Sequence, residues 1–331
     1  MTTRFSSLVS HGLALTLTAA LGMTFSGAVA AQDYPAKPVR LIVPFPPGGG
    51  VDNAARLLTA ALTEGLKQPF VADNRGGAGG LIGTEFAAHS PPDGYTLFFG
   101  GSASHGITPN LYHKLPYDAK KDFVPISPIG WNPFVLVINP QLPVHSIGEL
   151  VALAKARPGK LNFSSAGIGS ALHLTGEMFK SMTGINIVHV PYKGGAQQIP
   201  DIISGQVAMG FFTMPTVTGL IKEGRLRALA TTGAKRSVLA PDLPTIAEAG
   251  VPGFEAVGWY GIFAPAGTPP AVVTKLNKQV QIMQADPVIM RRFAAAGIEP
   301  MAGTPQQFTQ YVNSEIEKWG EVVRESGATA D

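Results

Sequence analysis

From residue 39 onward, short apolar runs rich in β-branched and aromatic residues alternate with stretches whose apolar positions recur every three to four residues. "VRLIVPF" is followed by helical spacing over 52–66, "FVADN" by helical spacing over 81–88, and "YTLFFGG" closes the series. Period-two runs alternating with period-3.6 segments predict βαβ units and a largely parallel sheet. The next apolar run, "PFVLVINP" at 133–140, has proline at both ends and reads as a strand that leaves one lobe for another.

Beyond it the pattern restarts. Ser146 and Glu149 form a capping-box signature for a helix to 156, and "GKLNFSSAGIGS" leads into a helix over 170–182. The alternation continues through "INIVHVPYKGG", a helix near 196–204, "VAMGFFT", a helix near 215–223 and "LRALATT", after which "VGWYGIFAP" reads as a return strand. Three tail helices have clear starts, Thr268 before Pro269, Asp286 before Pro287 and Thr304 before Pro305, each an N-cap followed by proline in the first turn. In the last helix, expected to end near Ser326, Phe308, Tyr311, Val312, Ile316, Trp319 and Val323 form one apolar stripe, expected to pack on the first lobe. A chain that leaves one lobe, builds a second and returns has a two-segment hinge. The expected boundaries are 32–131 plus 256–331 for lobe 1 and 132–255 for lobe 2.

Length agrees with two lobes, since 331 residues exceed what one compact core usually holds. Residues 1–31 differ from the rest: one cation (Arg4), the apolar run "GLALTLTAALGM" and the small residues of "SGAVAAQD" read as a signal peptide cleaved after Ala30 or Ala31. That run is well short of the roughly 20 residues needed to cross a bilayer, so stable membrane insertion is not expected. Cysteine is absent, which excludes a disulfide framework, a thiol nucleophile and a lipid-bearing cysteine. A formal charge of +3 without any run of Lys or Arg argues against nucleic acid as a partner. The 39 Gly and 28 Pro punctuate the periodic segments as turns.

The candidate chemistry sits at strand ends. "VPFPPGGGVDNAAR" sets Phe45, Pro47, Gly48 and Gly49 between a strand and a helix, with Asp52 near the helix start and no lysine beside them. A Walker loop needs Gly-Lys-Ser/Thr and a dinucleotide fingerprint needs G-x-G-x-x-G, so both nucleotide readings fail. A phosphate, a carboxylate or a bare turn remain. "NFSSAGIGSALHL" repeats the grammar in the second lobe, with Ser164, Ser165 and Ser170 around Gly167 and Gly169. Open α/β sheets bind ligands beyond the carboxyl ends of their strands. That edge also carries Ser102, Ser104 and His105 in "GGSASHG", Tyr192 and Lys193 in "PYKGG", and Met214 in "TMP". No G-x-S-x-G elbow is present, and no histidines stand in metal-ligand spacing. Catalytic residues, metals and cofactors are therefore not expected, and His173 reads as a buttress of its helix.

The phrases "YPAKPVRLIVPFPPGGGVDNAAR", "NRGGAGGLIGTEFAA", "PPDGYTLFFG", "RPGKLNFSSAG", "HVPYKGG", "LPTIAEAGVPGFE" and "APAGTPP", in this order, resemble the Bug-type receptors of tripartite tricarboxylate transporters. The resemblance covers Tyr34 to the C-terminus. It implies an α/β, two-lobed periplasmic binding protein of the type II-like, Venus flytrap kind, each lobe a mostly parallel sheet flanked by helices and joined by crossover strands. It further implies a monomer that closes on a small organic acid (a di- or tricarboxylate, an acidic amino acid or an aromatic carboxylate) and presents it to membrane permease subunits. In related receptors the loops matching Phe45 to Asp52 and Ser164 to Ser170 hold a carboxyl group largely through backbone N–H groups and ordered water, and salt bridges are not the usual device. Three positions depart from the family pattern: Val51 stands where Thr or Ser is frequent, Gly76 where proline is, and Ala208 where an acidic residue is. A receptor signalling to a sensor kinase, or a periplasmic carboxylate-processing enzyme, are the alternatives.

Overall fold

The computed structural model describes residues 34–192, 194 and 196–330; the expected signal peptide and Lys193 lie outside the described residues. Residues from Lys37 onward form one compact α/β unit. Its elements follow the expected alternation: β1 (Val39–Val43), α1 (Gly50–Leu66), β2 (Phe70–Asn74), α2 (Leu81–Ala88), β3 (Thr96–Gly101), α3 (Thr108–Leu111) and β4 (Phe123–Ile138). Then come α4 (Ile147–Ala156), β5 (Asn162–Ser165), α5 (Ala171–Thr183), β6 (Val188–Pro191), α6 (Ile199–Ser204), β7 (Met209–Thr213), α7 (Met214–Lys222) and β8 (Arg227–Thr231). The chain ends with β9 (Val257–Pro265), α8 (Pro270–Gln284), α9 (Pro287–Ala295), β10 (Glu299–Pro300) and α10 (Pro305–Ser326).

Two sheet sections share β4. In the first, the order is β2-β1-β3-β9-β4, with β2, β1, β3 and β4 running one way and β9 reversed. In the second, β7, β5 and β6 run parallel and β4 passes antiparallel between β7 and β8. The partner of β4 changes from β9 to β7 and β8 between Pro133 and Phe134. The fold is thus two-lobed, with a mostly same-direction sheet in each lobe.

Three sequence expectations need correction. The crossing strand begins at Phe123, ten residues before Pro133, because bulges at Pro125/Ser127 and Pro128/Gly130 let it keep pairing through prolines that cannot donate. The N-cap of α8 is Pro269, since the Thr268 hydroxyl donates back to the Pro265 carbonyl at 2.8 Å and closes a turn. The stripe on α10 does not serve the first lobe alone. Phe308, Val312 and Ile316 join Phe98, Trp259 and Phe263 in one core, whereas Trp319, Val322 and Val323 join Phe163, Leu174 and Phe179 in the other. Buried Glu315 sits between them, its Oε2 accepting from Trp259 Nε1 at 2.8 Å and from Trp319 Nε1 at 3.1 Å. Asp286 and Thr304 cap their helices as the sequence indicates, and Ser146 caps α4.

Among the described residues, no helix is long and apolar enough to cross a membrane.

Candidate functional site

The first glycine turn is organised around Asp52. The N–H of Gly48 donates to Asp52 Oδ2 at 2.8 Å, Arg56 Nε donates to the same oxygen at 2.9 Å, and Asn74 Nδ2 donates to Oδ1 at 2.9 Å. Asn74 also donates to the Phe45 carbonyl at 3.0 Å, tying the turn to β2. Burial of Asp52 would raise its pKa, but the Arg56, Gly48 and Asn74 hydrogen bonds outweigh it and hold the carboxyl below the usual range. Its charge is therefore committed to the loop. Gly49 is the N-cap of α1 and supplies no side-chain cap, so the leading N–H groups of that helix receive none.

The second turn rests on two imidazoles. Gly169 N–H donates to His173 Nδ1 at 3.1 Å, and the Ser170 hydroxyl, the N-cap of α5, accepts from His173 N–H at 3.2 Å. Ser165 Oγ accepts from Gly167 N–H at 3.1 Å and lies 2.7 Å from His189 Nε2. His173 and His189 stack with centroids 4.0 Å apart, beside Phe163. Burial, reinforced by the Lys180 charge, pushes His173 down to about 4. Burial and the neighbouring His173 push His189 down to about 4 as well. Both rings are thus neutral at pH 7, as an Nδ1 that accepts from Gly169 requires. At Gly169 the backbone is left-handed (φ +75°), and a Cβ would stand 2.8 Å from Leu111 Cδ1.

After β3 the chain makes a π-helical turn over Ser102–Ile107. Ser104 Oγ accepts from Gly101 N–H at 3.1 Å, and Tyr117 Oη donates to the Ser104 carbonyl at 2.9 Å. His105 is turned inward, fully buried and stacked 4.0 Å above Phe263 between Phe98 and Phe123; burial pushes it down to about 3.

These turns surround a cavity of about 180 Å³ between the two lobes. The first turn supplies Phe45 and Val51, the π-helical turn Ser102, Ala103 and Ser104, the second lobe Phe134, Ala171 and Thr213, and the crossover strands Asn132, Gly258 and Tyr260. Among the described residues, no charged side chain lines the cavity. Val51 lies in the first turn of α1, Ala171 is the first residue of α5 and Thr213 is the N-cap of α7, so three helices of 17, 13 and 9 residues begin at the cavity. Each helix start carries partial positive charge.

Of the residues singled out from the sequence, Phe45, Ser102 and Ser104 border this cavity. Pro47, Gly48, Gly49 and Asp52 lie in the turn that delivers Val51, and Ser164, Ser165, Gly167, Gly169 and Ser170 in the one that delivers Ala171. Tyr192 donates its hydroxyl to Asp201, and the pull of that carboxylate adds to burial in pushing the phenol up to about 12. Met214 is buried with Val135, Phe212 and Val217. The sequence placed Thr213, in "TMP", at this edge, and sequence reasoning missed Phe99, Asn132, Phe134, Gly258 and Tyr260. Their signal was their place at the ends of apolar runs, which ordinary core residues share.

A family described as the tripartite tricarboxylate transporter family receptor matches residues 54–328. The chain belongs to this receptor family. Protein BugT of Bordetella pertussis (strain Tohama I) is 42% identical over 301 residues, covering 91% of this chain and 92% of BugT. Among solved structures, this receptor is similar to R. palustris Rpa4515 with adipate, at 39% identity and a TM-score of 0.77 over 90% of this chain and 99% of the other. It is also similar to MatC (Rpa3494) from Rhodopseudomonas palustris with bound malate, at 32% identity and a TM-score of 0.73 over 88% and 100%.

Proposed function

We propose that this receptor is exported to the periplasm, binds a small organic carboxylate between its lobes and hands it to the membrane subunits of a tripartite transporter. The observation that carries the reading is the convergence of three helix starts and a serine-bearing π-helical turn on one cavity that no charged side chain lines among the described residues. Each helix start contributes on the order of 0.3–2 kcal/mol toward an anion, and direct N–H bonds in a closed site contribute more. Such a site favours a carboxylate without a salt bridge. Relatives bound to adipate and to malate support the same ligand class.

In this reading residues 32–131 plus 256–331 and residues 132–255 move as two lobes about β4 and β9, and closure follows because the ligand binds the shut form better than the open one. Asp52 and His173 act behind the contact surface by fixing the two turns. The protein binds stoichiometrically and releases its guest unchanged.

A thermal-shift series on the purified protein tests the class. A carboxylate at 100 times its dissociation constant adds about 2.7 kcal/mol to apparent stability, whereas its primary amide adds far less. Stabilisation by phosphate or sugars alone would reject the carboxylate assignment.

A further inference from the structure

Among the described residues, the hydroxyl side chains that border the cavity are those of Ser102, Ser104, Thr213 and Tyr260. Two of them are spent inside the protein. Ser104 Oγ accepts from Gly101 N–H at 3.1 Å and lies 3.0 Å from His105 Nδ1, and Thr213 Oγ1 lies 2.8 Å from Thr216 Oγ1. Ser102 belongs to the π-helical turn, one of the elements that meet the guest's carboxyl group in the reading above. Tyr260 belongs to the crossover strand β9.

The sheet places Tyr260. It pairs in register with Gly101 of β3 and Gly130 of β4, so no side chain stands opposite its ring on either neighbouring strand. The ring stacks instead on Phe99, with centroids 5.6 Å apart and planes at 15°. Both rings border the cavity, and the Tyr260 side chain keeps part of its surface open there. Its hydroxyl has no hydrogen-bond partner among the described residues. Burial pushes the phenol up to about 12, so at pH 7 it keeps its proton and is a donor. A few placed polar groups on otherwise apolar walls are what orient a small guest, and an uncommitted donor on such a wall calls for an acceptor.

Resting on the carboxylate reading above, we infer that Tyr260 is a specificity-determining residue whose hydroxyl donates to a second acceptor oxygen of the ligand, that of a carboxylate or an amide-like carbonyl, away from the carboxyl group met by the helix starts. The preferred guest is then an organic acid with an oxygen-bearing group at each end, and an acid of the same skeleton with an apolar far end is a poorer one.

Isothermal titration with succinate, glutarate, adipate and terephthalate, each beside its half-amide and the monoacid of the same carbon skeleton, tests this in the native protein and in Tyr260→Phe. The phenylalanine keeps the ring that stacks on Phe99 and removes only the hydroxyl. For the skeleton that binds best, the diacid or the half-amide should bind at least about tenfold more tightly than the monoacid. In Tyr260→Phe that preference should fall at least about fivefold while the monoacid binds as before, which shows that the variant keeps its cavity. A preference for either form supports the inference, and the stronger of the two names the acceptor. A monoacid that binds as tightly as its diacid and half-amide would overturn it, as would an undiminished preference in Tyr260→Phe. Equal weakening of all three forms in the variant would put the phenol on the shared carboxyl group and overturn it too. Each of those results leaves the carboxylate reading standing, whereas failure of every acid to bind would reject that reading and this inference with it.

Discussion

Acidification should loosen the second glycine turn through His173, and His173→Leu isolates that contribution. The ring is 5% exposed, faces His189, Glu177 and Lys180, and accepts from Gly169 N–H through Nδ1. Its pKa falls from 6.5 in the free residue to about 4 in the folded chain. Between those values the unfolded chain takes up a proton that the folded chain refuses. Stability is therefore full above about pH 6.5 and is lost as the pH falls toward 4. At about 1.4 kcal/mol per pH unit for one group, moving from pH 6.5 to 4.5 costs about 2–3 kcal/mol. At pH 7 the leucine variant loses the stack on His189 and the Gly169 acceptor, the latter a loss of about 1–2 kcal/mol. Urea melts of both proteins at pH 7, 6.5, 5.5 and 4.5 give the difference, in which the fully buried His105 is common to both and His189 is relieved of the His173 charge in the variant. The native protein should lose about 2–3 kcal/mol more than His173→Leu between pH 6.5 and 4.5. Parallel pH profiles would show that His173 is not a buried neutral group, and the account of the second turn would fail.

Other positions give sharper structural tests. Asp52→Ala leaves the Gly48 N–H and Arg56 without their shared acceptor, so a stability loss of about 2–3 kcal/mol should accompany weakened ligand binding in paired urea melts and calorimetry. Gly169→Ala combines a left-handed backbone with displacement of Leu111, which should cost at least about 1–2 kcal/mol and lower ligand affinity by tenfold or more; native affinity would remove that turn from the site. Glu315→Ala strands the indole N–H groups of Trp259 and Trp319 and should cost about 1–3 kcal/mol for each by chemical denaturation, whereas Glu315→Gln, which keeps an acceptor, should recover most of it.

Local chemistry made much of this fold readable. Ser146, Asp286 and Thr304 announce helix starts because each cap is satisfied within three residues along the chain. What escaped depends on partners far away in sequence. Pro133 suggested the start of the crossing strand, but β4 already pairs with β9 from Phe123, past Pro125 and Pro128 by register shifts. The stripe on α10 gave a buried face without saying that two cores divide it at Glu315. The glycine turns were visible as turns. That Gly48, Gly167 and Gly169 N–H groups would be occupied by Asp52, Ser165 and His173 was not, since those acceptors become neighbours only once the turns have formed. His105 illustrates the converse: its residue type suggested chemistry, while Phe263, more than 150 residues later, makes it a core ring. Asn132 carried no local signal, because the cavity it borders is assembled from segments far apart in sequence.

The central claim is that helix starts and main-chain N–H groups, without a cation, capture the acid. A crystal structure with a bound carboxylate measures this most directly. The account predicts carboxylate oxygens within hydrogen-bonding distance of first-turn N–H groups of α1 and α5, beside Val51 and Ala171. An acid paired with arginine or lysine, or seated away from both helix starts, would contradict it.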